Sequence, residues 1–132
     1  MTLVDATAHP EAAVAAAVTA LRKGRPVVLP TETVYGVAAL PGDPSAVEEL
    51  FERKGRAGER LVAVLVADLE AARCIAVVDA MFELLAAAFW PGPLTIVAWR
   101  HPEADLHLGD GSSTVGVRCP AHDLVGAILA DV

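Results

Sequence analysis

The residues from Leu61 to Ala67, LVAVLVA, are apolar without interruption. A strand with one wet face alternates apolar and polar side chains. An unbroken valine- and leucine-rich run of this length therefore predicts a central strand covered on both faces. Shorter strands are expected at Pro26 to Leu29 and Leu94 to Trp99, and Thr114 to Arg118 alternates as a strand should. Thr33 to Leu40 reads as extended, with Gly36 as a bend or close-approach point.

Helical stretches lie between these runs. Pro10 to Lys23 is alanine-rich, opens on a proline and is followed by Gly24. Asp43-Pro44 reads as an N-cap and first-turn proline for a helix that ends near Gly55. Asp68 and Asp79 cap two more helices, the second stopped at Trp90 by Pro91-Gly92-Pro93. Pro120 opens a final helix over Ala121 to Val132. Strands alternating with helices predict an α/β fold with a mostly buried sheet, and 132 residues without a repeat or linker predict one domain, 1–132.

Composition removes several function classes. The formal net charge of -7 argues against a nucleic-acid binder that uses its whole surface, while leaving room for a local basic pocket. No apolar stretch is long enough to span a membrane, and Met1 to Asp5 shows no secretory pattern. Cys74 and Cys119 have neither metal-ligand nor disulfide spacing, so a reducing, cytoplasmic setting is expected. His9, His101, His107 and His122 form no metal-ligand constellation, and no resident metal site is expected, although Glu32 and Asp110 are candidate magnesium partners. No Walker or Rossmann glycine loop occurs.

Four segments could carry chemistry. In Pro30-Thr31-Glu32-Thr33-Val34-Tyr35-Gly36, the three hydroxyl residues Thr31, Thr33 and Tyr35 are two apart and share one face if the segment is extended. Such a strip could hold the amine and carboxylate of a small substrate, and a strand edge rich in β-formers fits the same spacing. Lys54-Gly55-Arg56 could converge on a polyphosphate if the helix ends at Gly55, or simply complement a helix C-terminus. Thr114, Gly116 and Arg118 face away from Val115 and Val117, so Arg118 could meet a carboxylate or phosphate, or be solvated. Phe89-Trp90-Pro91-Gly92-Pro93-Leu94-Thr95 reads as a stiff turn whose aromatics anchor the core, with Thr95 near a pocket.

Taken in order, Pro30 to Gly36, Lys54 to Arg56, Trp90 to Thr95 and Thr114 to Pro120 resemble the PTETVYG, Lys-x-Arg, WPGPLT and TVxVRxP segments of the YrdC-like family, which includes the threonylcarbamoyl-AMP synthases. The resemblance implies a twisted mixed sheet with flanking helices and a concave nucleotide pocket. It implies condensation of L-threonine, bicarbonate and ATP, with Mg2+, to threonylcarbamoyl-AMP and pyrophosphate, the product passing to tRNA-modifying partner proteins. By this similarity Lys54 and Arg56 are the catalytic cations on the ATP phosphates, Arg60 and Thr114 are further nucleotide contacts, and Thr31, Thr33, Tyr35 and Arg118 bind threonine or its carbamate. No protein nucleophile is required, because positioning and cationic screening can carry such a transfer.

The sequence departs from the family at Ala57, Leu61 and Val62, where prolines and a Pro-Leu pair are usual. The family's Ser/Thr-x-Asn segment is expected to follow the helix opened by Pro120, and no asparagine occurs here, so the domain is expected to stop short of it. A catalytically incomplete domain that binds nucleotide or RNA without turnover is the alternative, and a carbamoyltransferase of the same fold is a third reading.

Overall fold

The computed structural model describes residues 1–55, 62–108 and 113–132. Helix α1 (Pro10–Arg22) carries Glu11 in its first turn and Arg22 in its last, each matched to the helix dipole. Strands β1 (Val27–Leu29) and β2 (Gly36–Ala38) form an antiparallel pair with Val28 opposite Val37. Helix α2 (Pro44–Arg53) begins where the Asp43 carboxylate accepts the N–H groups of Ser45 and Ala46, at 3.0 and 3.1 Å. Strand β3 (Ala63–Leu65) leads to helices α3 (Leu69–Ile75) and α4 (Ala80–Phe89). Asp68 and Asp79 cap these two through the Ala71 and Phe82 N–H groups, each at 2.8 Å. Strands β4 (Ile96–Trp99) and β5 (Thr114–Arg118) precede helix α5 (Asp123–Asp131).

The second sheet is mixed, in the order β3-β5-β4, with β3 parallel and β4 antiparallel to β5. The central strand is therefore β5, and β3 lies at an edge, contrary to the expectation from its apolar run. The physical reason is that β3 packs on both sides without having two strand neighbours. Val64 enters the core formed by Val66, Phe82, Ile96, Val115 and Val117, while Leu65 packs on a second cluster of Val18, Leu21, Leu29, Val125 and Ile128. That second cluster joins α1, β1 and α5.

Two further expectations are corrected. Phe89 does not anchor the core, being 55% exposed, whereas Phe82 is 2% exposed and meets the Trp90 ring edge-on at 5.4 Å. Helix α5 starts at Asp123 rather than Ala121, because His122 is extended and the Ala121 N–H is drawn to the Glu32 carboxylate at 2.9 Å.

The turn between α4 and β4 is built around Gly92. A Cβ there would lie 2.3 Å from the Phe89 carbonyl oxygen, so no larger residue fits without backbone movement. The Gly92 N–H donates to the Cys119 carbonyl at 2.8 Å. This turn is thereby tied to the end of β5, beside Arg118.

Candidate active site

Strand β5 sets the geometry. Val115 and Val117 are completely buried, which forces Thr114, Gly116 and Arg118 to the opposite face, as the alternation predicts. At the end of the strand the Arg118 Nη2 group donates to the Glu32 carboxylate and, at 3.1 Å, to the Thr33 hydroxyl. Glu32 and Thr33 come from the connection between β1 and β2, so residues 86 and 85 positions apart meet at one point.

The connection is a turn, not the extended segment expected. Thr31 Oγ1 accepts the N–H groups of Thr33 and Val34 at 3.3 and 3.2 Å and donates to the Val34 carbonyl at 2.6 Å. A threonine that hydrogen-bonds its own backbone in this way offers the chain an alternative to a ladder. Thr31 and Thr33 still meet, with their hydroxyls 3.0 Å apart. Because Thr31 has given its one proton to Val34, Thr33 must be the donor in that contact. A directed chain results: Arg118 guanidinium to Thr33 hydroxyl, to Thr31 hydroxyl, to Val34 carbonyl. Tyr35 is 76% exposed and does not join the strip.

Glu32, a candidate magnesium partner in the sequence, is engaged by Arg118 at one oxygen and by the Ala121 N–H at the other. Burial pushes its carboxyl up. The Arg118 hydrogen bond, backbone N–H groups and the Arg118 charge outweigh that and hold it below its ordinary value of 4.5. Its side chain is 20% exposed and that of Arg118 16%. The Arg118 Nε atom is buried with no hydrogen-bond partner among the described residues.

A group with a lowered folded-state pKa stabilises the fold above its unfolded pKa and loses that contribution as pH falls through the folded value. The melting temperature of the wild-type chain should therefore exceed that of Glu32→Gln above pH 4.5 and converge on it below. A difference that stays constant through the acid range would show that the Glu32 charge contributes nothing to the fold.

The remaining candidates are placed as follows. Lys54 is the C-cap of α2, and Gly55 after it has a φ of 61°, the left-handed conformation that glycine adopts freely at a helix end. Among the described residues, no hydrogen bond or ion pair joins Lys54 to Thr33 or Arg118. Arg56, Arg60 and Asp110 lie outside the described residues. Thr114 stands opposite Trp99 in the β4–β5 ladder. Thr95 reaches the same face as Arg118, its Cγ2 lying 3.1 Å from where a Cβ on Gly116 would sit. A cavity of about 700 Å3 between α4 and α5 is lined by Asp68, Trp90, Cys119 and His122, and Thr31, Thr33, Tyr35, Lys54, Thr114 and Arg118 do not line it. Burial, followed by the charges of Asp68 and Glu32, pushes the Cys119 thiol up.

A mixed α/β domain with an arginine and a threonine hydroxyl joined at the end of its central strand defines the class. The family model described as "Telomere recombination", of the Sua5, YciO and YrdC proteins, matches residues 19–132, and the chain belongs to this family. It is 39% identical over 105 residues to the threonylcarbamoyl-AMP synthase of Pyrococcus abyssi, covering 79% of this chain and 31% of that protein. It is 34% identical over 127 residues to the threonylcarbamoyl-AMP synthase of Bacillus subtilis, covering 95% and 36%. The chain thus spans about a third of the length of these two relatives. Among solved structures, P. abyssi Sua5 complexed with L-threonine superposes with a TM-score of 0.83 at 35% identity, over 89% of this chain and 35% of that one. Among the described residues, no helix is long and apolar enough to cross a membrane.

Proposed function

We propose that the chain acts as an L-threonylcarbamoyladenylate synthase. The observation that carries this reading is the Arg118–Thr33 contact at the end of β5, in a family whose P. abyssi member has been solved with L-threonine. Arg118 would bind the threonine carboxylate, which takes the place of Glu32 on the guanidinium, and Thr33 and Thr31 would orient the substrate beside it. An arginine suits this task because its planar donors match both oxygens of a carboxylate.

The threonine amine joins bicarbonate with loss of water to give a carbamate. A carbamate oxygen then attacks the α-phosphorus of ATP, the new P–O bond forms, the α–β bridging bond breaks and pyrophosphate departs. Negative charge approaches negative charge, so the protein contributes mainly by holding the partners in line and by cations. Lys54, Arg56 and Arg60 would supply those cations and Thr114 would flank the nucleotide. Among the described residues no cluster of His, Cys, Asp or Glu is suited to a metal, and Glu32 is held by Arg118. Magnesium would enter as the counter-ion of the ATP phosphates. The product would pass to partners that act on tRNA.

Incubation with ATP, L-threonine, bicarbonate and magnesium should release pyrophosphate only when threonine and bicarbonate are both present. Pyrophosphate release independent of threonine, or ATP binding with no turnover, would overturn the reading.

A further inference from the structure

Glu32 holds Arg118 in the way a ligand would. One carboxylate oxygen accepts from the Arg118 Nη2 group and the other accepts the Ala121 N–H at 2.9 Å. The same Nη2 group donates to the Thr33 hydroxyl at 3.1 Å. A carboxylate of the chain itself is therefore seated on the arginine, beside the hydroxyl that the synthase reading gives to the threonine carboxylate. Glu32 comes from the turn that Thr31 closes through Val34, and Ala121 from the approach to α5. One carboxyl group thus ties the β1–β2 turn, the end of β5 and the lead-in to α5. Both partners of the ion pair are largely buried. An arginine so placed is costly to leave without a counter-charge, and Glu32 supplies that charge when no substrate is bound.

We propose that Glu32 is an autoinhibitory latch, an internal competitor that occupies Arg118 until a substrate carboxylate displaces it. The proposal rests on the synthase reading and deepens it by stating what regulates access to that site. Two carboxylates on one Nη2 group repel each other, so binding is an exchange and not an addition. The apparent affinity for threonine is then the intrinsic affinity reduced by the fraction of molecules in which Glu32 has let go. Only one of its two anchors has to be given up, because the Ala121 N–H holds the other oxygen. The latch therefore lends stability to the empty domain and withdraws the same free energy from ligand binding. By linkage, threonine should loosen Glu32 as much as Glu32 weakens threonine. A ligand that brings no anion of its own leaves the latch closed.

The test is calorimetric titration of the full chain with L-threonine, with melting temperatures recorded with and without it. The proteins are the wild type, Glu32→Gln, and the double variant Glu32→Gln with Arg118→Ala. Glutamine has the same shape, its amide oxygen can keep the Ala121 N–H, and it brings no charge to Arg118. Glu32→Gln should bind threonine about ten-fold tighter near neutral pH. Its melting temperature should be lower without ligand and should rise further than that of the wild type when threonine is added. The tightening should vanish in the double variant, which has no guanidinium to free. A purely structural Glu32 would move the affinity the other way, since a loosened site binds less well. Equal or weaker threonine binding by folded Glu32→Gln would overturn the latch and leave the synthase reading standing. Binding seen only in Glu32→Gln would be the strongest form of the expected result, and binding by neither protein would bring down both readings. If Glu32→Gln does not fold, Glu32→Asp decides. It keeps the charge but is one methylene too short to span Arg118 and Ala121 together. It should bind threonine more tightly than the wild type, and failure to do so would overturn the proposal.

Discussion

Replacing Arg118 with alanine should lower threonine-dependent pyrophosphate release about 100-fold, since charge-assisted hydrogen bonds contribute about 1.5–3 kcal/mol each and about 1.4 kcal/mol is a factor of ten. The loss should fall mainly on the threonine affinity, with ATP binding little changed. Stability should fall as well, because Glu32 would keep a largely buried carboxylate with only backbone N–H groups to satisfy it. Stranding a charged partner of that kind costs about 2 kcal/mol. The two effects separate in the double variant. Arg118→Ala with Glu32→Gln removes the stranded charge and should recover most of the melting temperature without recovering turnover. Recovery of both would mean that Arg118 only holds the fold together. Arg118→Lys should keep much of the stability but little of the threonine affinity, because a lysine cannot present two parallel donors.

The same residues show where the sequence was legible. Strand β5 could be read because five residues, Thr-Val-Gly-Val-Arg, alternate without exception, and a two-residue period leaves one assignment of faces. Asp43, Asp68 and Asp79 could be read as caps because each immediately precedes a helix whose first turn needs an acceptor. These are local rules. The edge position of β3 was not legible, since an apolar run states that both faces are dry and not what dries them. For β3 it is the Val64 core on one side and the α1–α5 cluster on the other.

The site was legible in its residues and not in its connections. Thr31, Thr33 and Arg118 could be picked out, but the pairing of Arg118 with Glu32 joins positions 86 apart, and no local pattern encodes a partner at that distance. The turn at Thr31 was hidden for a different reason. A threonine is a good strand residue and also a side chain that can capture nearby backbone N–H groups, and only the tertiary setting decides between the two.

Phe82→Ala should be among the most damaging single truncations for the fold, and Phe89→Ala, two turns along at the end of the same helix, should be nearly silent. Phe82 is 2% exposed and Phe89 55%. Removing a buried phenylalanine ring costs about 3–5 kcal/mol through lost transfer energy and the cavity left behind. That is a large part of the roughly 5–15 kcal/mol that holds a domain folded. Truncating the Phe89 ring, more than half exposed, removes far less buried surface and should cost much less. The Phe82 ring also meets Trp90 edge-on, and the Trp90 indole N–H donates to the Leu94 carbonyl at 2.9 Å, so the loss should propagate to the start of β4. Thr95 stands there, against Gly116 on the face that carries Arg118. Denaturant unfolding should therefore show a much lower midpoint for Phe82→Ala and little change for Phe89→Ala. Equal losses for the two would mean that the exposed Phe89 ring contributes as much to the fold as the buried Phe82 ring, and would overturn the assignment of Phe82 as the anchor of α4.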